Sequence, residues 1–484
     1  MKTNPFLLTD YYKVGHVFQY PHKTELVYSN LTPRSSRLKD IDEMVFFGMQ
    51  YFIKEYLVNY FNDNFFQQPK EKVINDYKRR ISTSLGAGLP TYSHLEHLHD
   101  LGYLPIEIKA LPEGSKVPMK VPCITIVNTL PEFYWLTNFL ETLLSAIIWQ
   151  PCTSATIAHA YRKLLNAYAA ETGMPAEFVQ WQGHDFSFRG MSSLETAVLS
   201  GMGHLLSFTG TDTIPAIDAL EQYYNADAGK ELIGGSVAAT EHSVMCSGSK
   251  DGELETFKRL VTEVYPSGIV SIVSDTWDLW KVCTEYLPAL KETILQRDGK
   301  VVIRPDSGDP VKIICGDPEA KTEPERKGVV ELLWDVFGGV TTPKGYRLLD
   351  PHIGAIYGDS INLERAAQIC DGLKAKGFAS QVVFGIGSFT YQYNTRDTFG
   401  TAMKATYVVV DGEGREIFKN PVTDDGTKRS ATGLLNVQKE NGHFVLYDKV
   451  SWEEEATSEL KTVFKDGKIT REFTLAEIRA TLAG

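Results

Sequence analysis

The sequence predicts an α/β fold, with a barrel-like parallel sheet in the middle of the chain and β-rich segments at both ends. The chain has 484 residues, which exceeds the usual size of one hydrophobic core and favours two domains. Its middle repeats a strand–turn–helix pattern, which is typical of a parallel sheet. Its first and last segments alternate apolar and polar residues instead, as half-buried strands do.

The repeated pattern consists of a short apolar strand that ends in glycine or aspartate, turn residues, and an amphipathic helix. The strand ends fall at residues 209–212, 273–275, 304–306, 357–359 and 384–387, and helices follow at 214–224, 277–286 and 362–374. In a β/α barrel the catalytic groups lie at the carboxyl ends of the strands. We therefore expect Asp212, Asp275, Asp306 and Asp359 at one polar mouth, although an aspartate there can also simply cap the following helix.

The two ends of the chain predict a second domain. Residues 105–111 and 116–128 read as strands and residues 47–61 as a helix. Near the C-terminus, residues 406–410 and 416–418 flank a DGEG turn, and Thr474 with Glu477 forms a capping box for a last helix. We expect a discontinuous β-rich domain of residues 1–150 plus 400–484, and a catalytic α/β domain of residues 151–399.

Composition narrows the class of protein. The net charge of −12 and the pI near 5.5 argue against a general nucleic-acid binder, since phosphate backbones attract clustered Lys and Arg. The apolar run 133–149 contains Asn138 and Glu141 and is too short for a membrane span, so we expect a buried or interface helix. The N-terminus does not resemble a signal peptide, and six cysteines without a CxxC fit reduced thiols, which predicts a cytoplasmic location.

Several segments carry more specific information. They are GHDFSFRG at 183–190, FTGTDT at 208–213, SVAATEHS at 236–243, SIVSD at 271–275, VIRPDSG at 302–308 and YGD at 357–359. In this order, and together with TDYYKVGHVFQYP and KNPVTDDGTKRS near the two ends, they resemble the nicotinamide phosphoribosyltransferase family over nearly the whole chain. The resemblance implies a type II phosphoribosyltransferase fold, with an irregular α/β barrel and a β-rich domain built from both chain ends.

The resemblance also implies an activity. Members of this family transfer the phosphoribosyl group of phosphoribosyl pyrophosphate to nicotinamide, giving nicotinamide mononucleotide and pyrophosphate in the salvage of NAD. They use magnesium as a cofactor and hydrolyse ATP through a phosphorylated histidine. The implied assembly is a homodimer with shared active sites, in which the β-rich domain contributes dimer and phosphate contacts.

Nicotinamide is a flat, weakly basic ring, so its site needs aromatic faces and polar partners for the amide. Phe186 matches the family's stacking residue, and Tyr12 matches a tyrosine that reaches over from the partner subunit. Asp212 matches the acid that accepts from the amide nitrogen, and Arg304 the arginine near the amide carbonyl. Without the family, Phe186 and Tyr12 would read as a core and a surface aromatic. The resemblance further assigns three residues to substrate binding: Arg189, Ser236 and Val237.

Glycosyl transfer passes through an oxocarbenium-like centre, which carboxylates stabilise. Asp306, Asp275 and Asp359 are the candidates for ribose, magnesium and cation contacts, and the protein ligands of magnesium are left open. The expected 5′-phosphate clamp comprises Gly358, Gly387, Ser388 and Arg396. This loop departs from the family pattern, because residues 385–390 read GIGSFT where further glycines are expected.

His242 lies at the position of the family's phosphorylated histidine, and Glu241 precedes it. An acid next to a histidine suits nucleophilic attack on ATP, because the acid fixes the tautomer and supports the cation. A lone histidine in a turn is otherwise usually structural. Four residues resemble the basic groups that hold ATP phosphates or pyrophosphate: Arg34, Lys404, Lys419 and Lys428.

Three alternatives remain at this point. His94 and His97 in HLEHLH are spaced i, i+3 on a possible helix and suggest a metal site, but no third ligand is evident. A nicotinate phosphoribosyltransferase would share the fold, yet Asp212 opposes a carboxylate substrate by charge repulsion. A non-catalytic dimeric ligand binder would not need His242 or Asp306.

Overall fold

The computed structural model describes residues 3–86, 88–419 and 430–484. The chain divides into two compact units. The first unit comprises Met1–Thr156, Ala219–Ala226 and Asn394–Gly484, and the second comprises Ile157–Asp218 and Asp227–Tyr393.

The first unit contains a seven-stranded antiparallel sheet. Its strands, in spatial order, are Glu413–Glu416, Ala402–Val410, Thr24–Thr32, Ile124–Asn128, Ile106–Ala110, Lys461–Lys465 and Lys468–Ile469. Two smaller antiparallel pairs accompany it: Leu434–Glu440 with His443–Val450, and Glu43–Val45 with Lys116–Pro118. Buried and half-buried residues alternate along Ile106–Ala110, so one face of this strand packs on the core.

Two of the expected strands in this unit differ from the structure. The predicted strand 116–128 is two strands, Lys116–Pro118 and Ile124–Asn128, because the backbone turns at Lys120, whose φ is 73°. The predicted strand 416–418 begins and ends earlier, at Glu413–Glu416, since Asp411 and Gly412 already form a two-residue hairpin turn with positive φ.

Helices complete the first unit. They are Tyr11–Val14, His16–Gln19, Met49–Phe52, Lys70–Ser84, Ser93–Leu101, Leu136–Phe139, Trp452–Glu455 and Leu475–Ala483, with wide π-helical turns at Ile53–Tyr60 and Asn62–Phe66 and short 3-10 turns at Pro5–Leu7, Pro131–Phe133 and Arg396–Thr398. The capping box of Thr474 and Glu477 that starts the last helix is confirmed. The apolar run 133–149 leads into a longer helix, Glu141–Thr172, that contains Pro151.

The second unit contains a seven-stranded sheet in which every pair is parallel. Its strands, in spatial order, are Gly210–Thr211, Gly183–Asp185, Val382–Ile386, Ile353–Tyr357, Asp298–Arg304, Ser267–Val273 and Ala238–Ala239. Every residue of Ile353–Tyr357 is buried, as expected for a parallel strand covered on both faces. Gly235, just before the last of these strands, bridges to Gly210 at the opposite edge, so the sheet closes into an irregular barrel.

Helices and a small hairpin surround the barrel. The helical segments are Ala176–Gln182, Phe188–Gly190, Leu194–His204, Ile214–Tyr224, His242–Ser247, Glu253–Arg259, Leu260–Val264, Leu279–Lys281, Val282–Tyr286, Leu287–Leu295, Pro310–Cys315, Glu323–Lys327, Val329–Phe337, Leu363–Ala375 and Ser388–Tyr391, and the hairpin pairs Gly339–Thr341 with Arg347–Leu349. The predicted α/β barrel with an additional β-rich part is therefore confirmed, as are the five strand ends. Over the described ranges, we find no helix with the length and apolarity that a membrane crossing requires.

Candidate active site

Two openings that share several lining residues lie in the barrel of the second unit, and carboxyl ends of the strands border both of them. The inner one is a cavity of about 410 Å³ inside the barrel. The outer one, of about 800 Å³, is the mouth above the strand ends. Phe186, Asp212 and Arg304 line both openings, so the residues expected to bind the base lie where the cavity meets the mouth.

The Phe186 ring lies against two glycines of neighbouring strands. A Cβ atom added at Gly358 would come within 2.9 Å of the ring, and one added at Gly385 would overlap it. The Phe186 backbone N–H donates to the carbonyl of Ile386 at 3.0 Å, which fixes the start of the loop. Gly358, which was expected in a phosphate clamp, makes room for this aromatic face.

Asp212 is held by two hydrogen bonds. His184 Nε2 lies 2.8 Å from its Oδ1, and the Ser236 hydroxyl donates to the same oxygen at 2.8 Å. Burial opposes ionisation of Asp212, but the contacts with His184 and Ser236 and the charge of Arg304 outweigh burial and lower the pKa of this carboxyl. Asp212 is thus an anion at neutral pH.

His184 was not identified from the sequence. The residue is only 8% exposed, and its ring lies 4.9 Å, centroid to centroid, from the ring of Phe186. Its position in the motif GHDFSFRG, two residues before the predicted site residue Phe186, was the available signal. Ser236 and Val237, which were expected in the substrate site, also line the cavity.

Arg304 ends its strand at the rim of the cavity. Its Nη2 donates to the carbonyl of Thr240 at 2.8 Å, and its Nε is a buried donor without a partner among the described residues. A buried unpaired N–H is costly, so this nitrogen is available to a ligand acceptor.

Asp275 and Asp306 are directly linked. The Asp306 backbone N–H donates to Asp275 Oδ2 at 2.9 Å, and the Ser307 hydroxyl donates to the same oxygen at 2.5 Å. Burial raises the pKa of the Asp306 carboxyl, and the charges of Asp275 and Asp359 add to this effect while Arg304 and His242 oppose it. The mouth therefore combines an ionised carboxyl, that of Asp212, with one that is more easily protonated, that of Asp306.

His242 begins a short helix, His242–Ser247, at the edge of the mouth. Its Nε2 lies 3.5 Å from Asp275 Oδ1, an oxygen that is buried and has no hydrogen-bond partner in the described part of the chain. Glu241 instead accepts a hydrogen bond from the Ser243 hydroxyl. The acid that contacts the histidine is thus Asp275, whereas the sequence pointed to its neighbour Glu241.

The loop with the unusual sequence GIGSFT forms a helical turn, Ser388–Tyr391, with Gly387 as its N-terminal cap. Its first N–H groups have no partner within the turn, which suits an anion. The Ser388 hydroxyl packs on the backbone of Gly190, where an added Cβ would overlap it. Arg189, Gly358, Asp359, Gly387 and Ser388 all line the outer mouth.

The remaining candidates belong to the first unit. Four basic residues lie near enough to interact: Arg34, Lys404, Lys419 and Arg396. Burial lowers the pKa of Lys404, and the positive charges of Arg34, Lys419 and Arg396 lower it further, whereas the negative charge of Glu141 raises it. Arg34 Nε donates to the carbonyl of Gly400 at 2.7 Å. Tyr12 is 62% exposed. Lys428 lies outside the described residues.

The alternative metal site at His94 and His97 finds no support. His94 is buried against Trp135, with ring centroids 5.0 Å apart, and His97 pairs with Glu132. Within residues 3–86, 88–419 and 430–484, no group of three or more His, Cys, Asp or Glu side chains could hold a metal ion.

Comparisons with known proteins identify the class as a phosphoribosyltransferase, in agreement with the barrel fold. The model of the nicotinate phosphoribosyltransferase (NAPRTase) family matches residues 181–468, and that of the nicotinamide phosphoribosyltransferase N-terminal domain matches residues 4–108. The chain therefore belongs to the nicotinate phosphoribosyltransferase family, and it is an enzyme of the pentosyltransferase class. The resemblance to nicotinamide phosphoribosyltransferases that the motifs predicted is confirmed by the second of these models and by the relatives described next.

Individual relatives are similar over the whole chain. A nicotinamide phosphoribosyltransferase of Acinetobacter baylyi is 56% identical over 495 aligned residues, covering 100% of this chain and 97% of the relative. One of Mycoplasma pneumoniae is 36% identical, covering 89% of this chain and 95% of the relative. The crystal structure of a nicotinate-nucleotide pyrophosphorylase from Pyrococcus furiosus has a TM-score of 0.61 at 14% identity, covering 99% of this chain and 95% of that one, which shows the shared fold.

Proposed function

We propose that this chain transfers the phosphoribosyl group of phosphoribosyl pyrophosphate to nicotinamide, and that it couples the transfer to ATP hydrolysis through His242. The observation that carries the proposal is the shared rim of the two openings. An aromatic face, an ionised acid and an arginine meet there, next to the linked carboxyls Asp275 and Asp306.

Each residue then has a role in the transfer. Phe186 stacks on the ring, Asp212 accepts from the amide N–H, and Arg304 donates its unpaired Nε–H to the amide oxygen. As the glycosidic bond forms, the ring becomes a pyridinium, and the aromatic face and nearby carboxylates favour that cation. The backbone around Gly387 and Ser388 binds the 5′-phosphate.

The phosphate chemistry needs charge neutralisation. Bound magnesium would supply Lewis acidity that stabilises the departing pyrophosphate. The described protein residues offer no complete metal cage, but Asp306 and Asp359 present carboxylate oxygens at the mouth, which fit a cation carried largely by substrate phosphates. Arg34, Lys404 and Lys419 would hold the phosphates of ATP or pyrophosphate, and Tyr12 would complete the base site of a partner subunit in a homodimer.

The energy coupling rests on His242. Its Nε2 faces the buried Asp275 carboxylate, which would stabilise the imidazolium character that develops on attack at the γ-phosphate of ATP. Phosphorylation of His242 would add negative charge at the mouth, and this would favour release of the anionic pyrophosphate product.

One assay tests the proposal. Purified protein is incubated with phosphoribosyl pyrophosphate, magnesium and either nicotinamide or nicotinate, with and without ATP, and the mononucleotide products are quantified. We expect nicotinamide mononucleotide to form, ATP to raise its yield, and nicotinate to react at least about a hundredfold less efficiently, because a bound nicotinate would bring a second negative charge against Asp212 and displace the water that screens it. Equal efficiency with both bases would contradict the proposed preference for nicotinamide. If ATP does not change the yield, the proposed coupling to ATP hydrolysis is wrong.

A further inference from the structure

The hydrogen bonds around Asp212 point to a function for His184. We infer that His184 is a specificity-determining positioning residue, which holds the Asp212 carboxylate ionised and oriented so that the site selects a carboxamide base over a carboxylate base. This inference rests on the proposed function, because it concerns how the same site distinguishes nicotinamide from nicotinate.

The first argument is geometric. His184 and Ser236 both bond to Oδ1 of Asp212, at 2.8 Å each. In the part of the chain that the structure describes, neither contact uses Oδ2, so this oxygen is left for an N–H donor on a ligand in the cavity. A half-exposed carboxylate without such contacts would rotate and present either oxygen.

The second argument concerns the proton. A carboxylate that accepts hydrogen bonds stays ionised, whereas a carboxylic acid can donate to another carboxylate. Rejection of nicotinate depends on two like charges meeting, so it fails whenever Asp212 is protonated. His184 Nε2 can support the ionised form only as a donor, which requires the tautomer with hydrogen on Nε2.

The third argument is that the surrounding structure is shaped to hold this ring. His184 is 92% buried, and its Nδ1 lies over the backbone of Gly210 in the neighbouring strand, where an added Cβ would approach to 2.8 Å. The ring of Phe186 also contacts it, at 4.9 Å between centroids and with an interplanar angle of 57°. The ring is therefore fixed between the base-stacking residue and the strand that ends in Asp212.

The experiment compares variants by the ratio of kcat/KM for nicotinamide to kcat/KM for nicotinate. His184→Phe keeps an aromatic ring but removes the donor, and we expect the ratio to fall by about tenfold to a hundredfold, the effect of losing a hydrogen bond to a charged group. His184→Gln retains an N–H near the position of Nε2, so it should restore most of the ratio. Ser236→Ala should lower it in the same direction with less risk to folding, because Ser236 is exposed.

The matched control is His352, which pairs with Asp350 at 2.7 Å in the same unit but does not line the cavity. His352→Phe should leave the ratio unchanged, which separates a local effect from general loss of a His–Asp pair. The inference is overturned if folded His184→Phe keeps the wild-type ratio within threefold, or if His184→Gln fails to restore it. If His184→Phe does not fold, His184→Leu, which also lacks the donor, replaces it under the same threefold criterion.

Failure of the proposed function has a different signature. It would appear in the wild-type protein as no transfer to nicotinamide or no preference for it, before any variant is made. A wild type that prefers nicotinamide, combined with an unchanged ratio in the variants, would leave the proposed function intact and remove His184 from it.

Discussion

The contact between His242 and Asp275 leads to a prediction that separates two candidate acids. Asp275→Asn should slow phosphorylation of His242 by ATP, because the amide cannot support a developing imidazolium. Asparagine still offers an oxygen to the donors that now bond Oδ2, the Asp306 backbone at 2.9 Å and the Ser307 hydroxyl at 2.5 Å, so the loop should keep its shape. The change therefore acts mainly on the oxygen that faces the histidine.

The size of the effect follows from the environment of that oxygen. Asp275 Oδ1 is buried, while His242 is about half exposed, so solvent screens the pair in part. A hydrogen bond to a charged group contributes about 1.5–3 kcal/mol, and screening favours the lower part of this range. We expect the phosphorylation rate to fall by about tenfold to thirtyfold.

The assay is single-turnover transfer of label from γ-labelled ATP to the protein, quenched in alkali to preserve phosphohistidine. Glu241→Gln is the matched control, because Glu241 contacts Ser243 and should change the rate less than threefold. The reasoning is refuted if Glu241→Gln slows labelling as much as Asp275→Asn does. It is also refuted if Asp275→Asn labels at the wild-type rate with its fold intact.

Three further predictions can be tested independently. Asp212→Asn should narrow the preference for nicotinamide mainly by accepting nicotinate, measured as kcat/KM for each base; unchanged discrimination would contradict the role of its charge. Burial lowers the pKa of His94 from 6.5 to about 4, so the unfolded chain binds a proton more readily than the folded protein does. The free energy of unfolding should therefore fall by up to about 3 kcal/mol as the pH drops from about 6.5 to 4. His94→Phe should abolish that loss in urea titrations at several pH values, and an unchanged pH dependence would exclude His94 as its cause. When Tyr12→Ala and His242→Ala subunits are refolded together, about half the dimers should be mixed, and each mixed dimer should have one intact site. Roughly a quarter of the wild-type ATP-stimulated activity should therefore return. If subunits exchange but the activity equals only the average of the two parent variants, the site is not shared between subunits.

The positions of the strand ends could be predicted from sequence because buried apolar residues give way there to exposed polar ones. Ile353–Tyr357 is wholly buried, and the chain becomes polar immediately afterwards at Asp359. The segment Ala219–Ala226 is different. It continues a helix of the second unit but groups with the first unit, through contacts such as the Gln50 amide to the carbonyl of Tyr223 at 2.6 Å. Pairings between residues so far apart in sequence leave no local pattern.

The roles within the site were harder to predict than its location. Asp212 and Asp275 stood out because each ends a strand, but their partners did not. His184 looks like any polar residue in a short strand, and Glu241 seemed the natural partner of His242 because the two are adjacent in sequence. In a helix start, however, adjacent side chains point apart, and the next strand supplies the acid instead.

The glycines of the motifs show the same limit of local reasoning. In sequence, a glycine beside a strand end suggests close approach of the backbone to a ligand. In the structure, Gly358 and Gly385 give space to the Phe186 ring, Gly210 gives space to His184, and Gly190 gives space to Ser388. These glycines therefore shape the site because, having no side chain, they leave space for larger neighbouring side chains. A glycine in such a motif can be required by the residue that packs against it, even if the glycine does not contact the substrate. This also explains how the loop GIGSFT tolerates serine after Gly387, since Gly190 on the adjoining turn provides the room that the serine side chain needs.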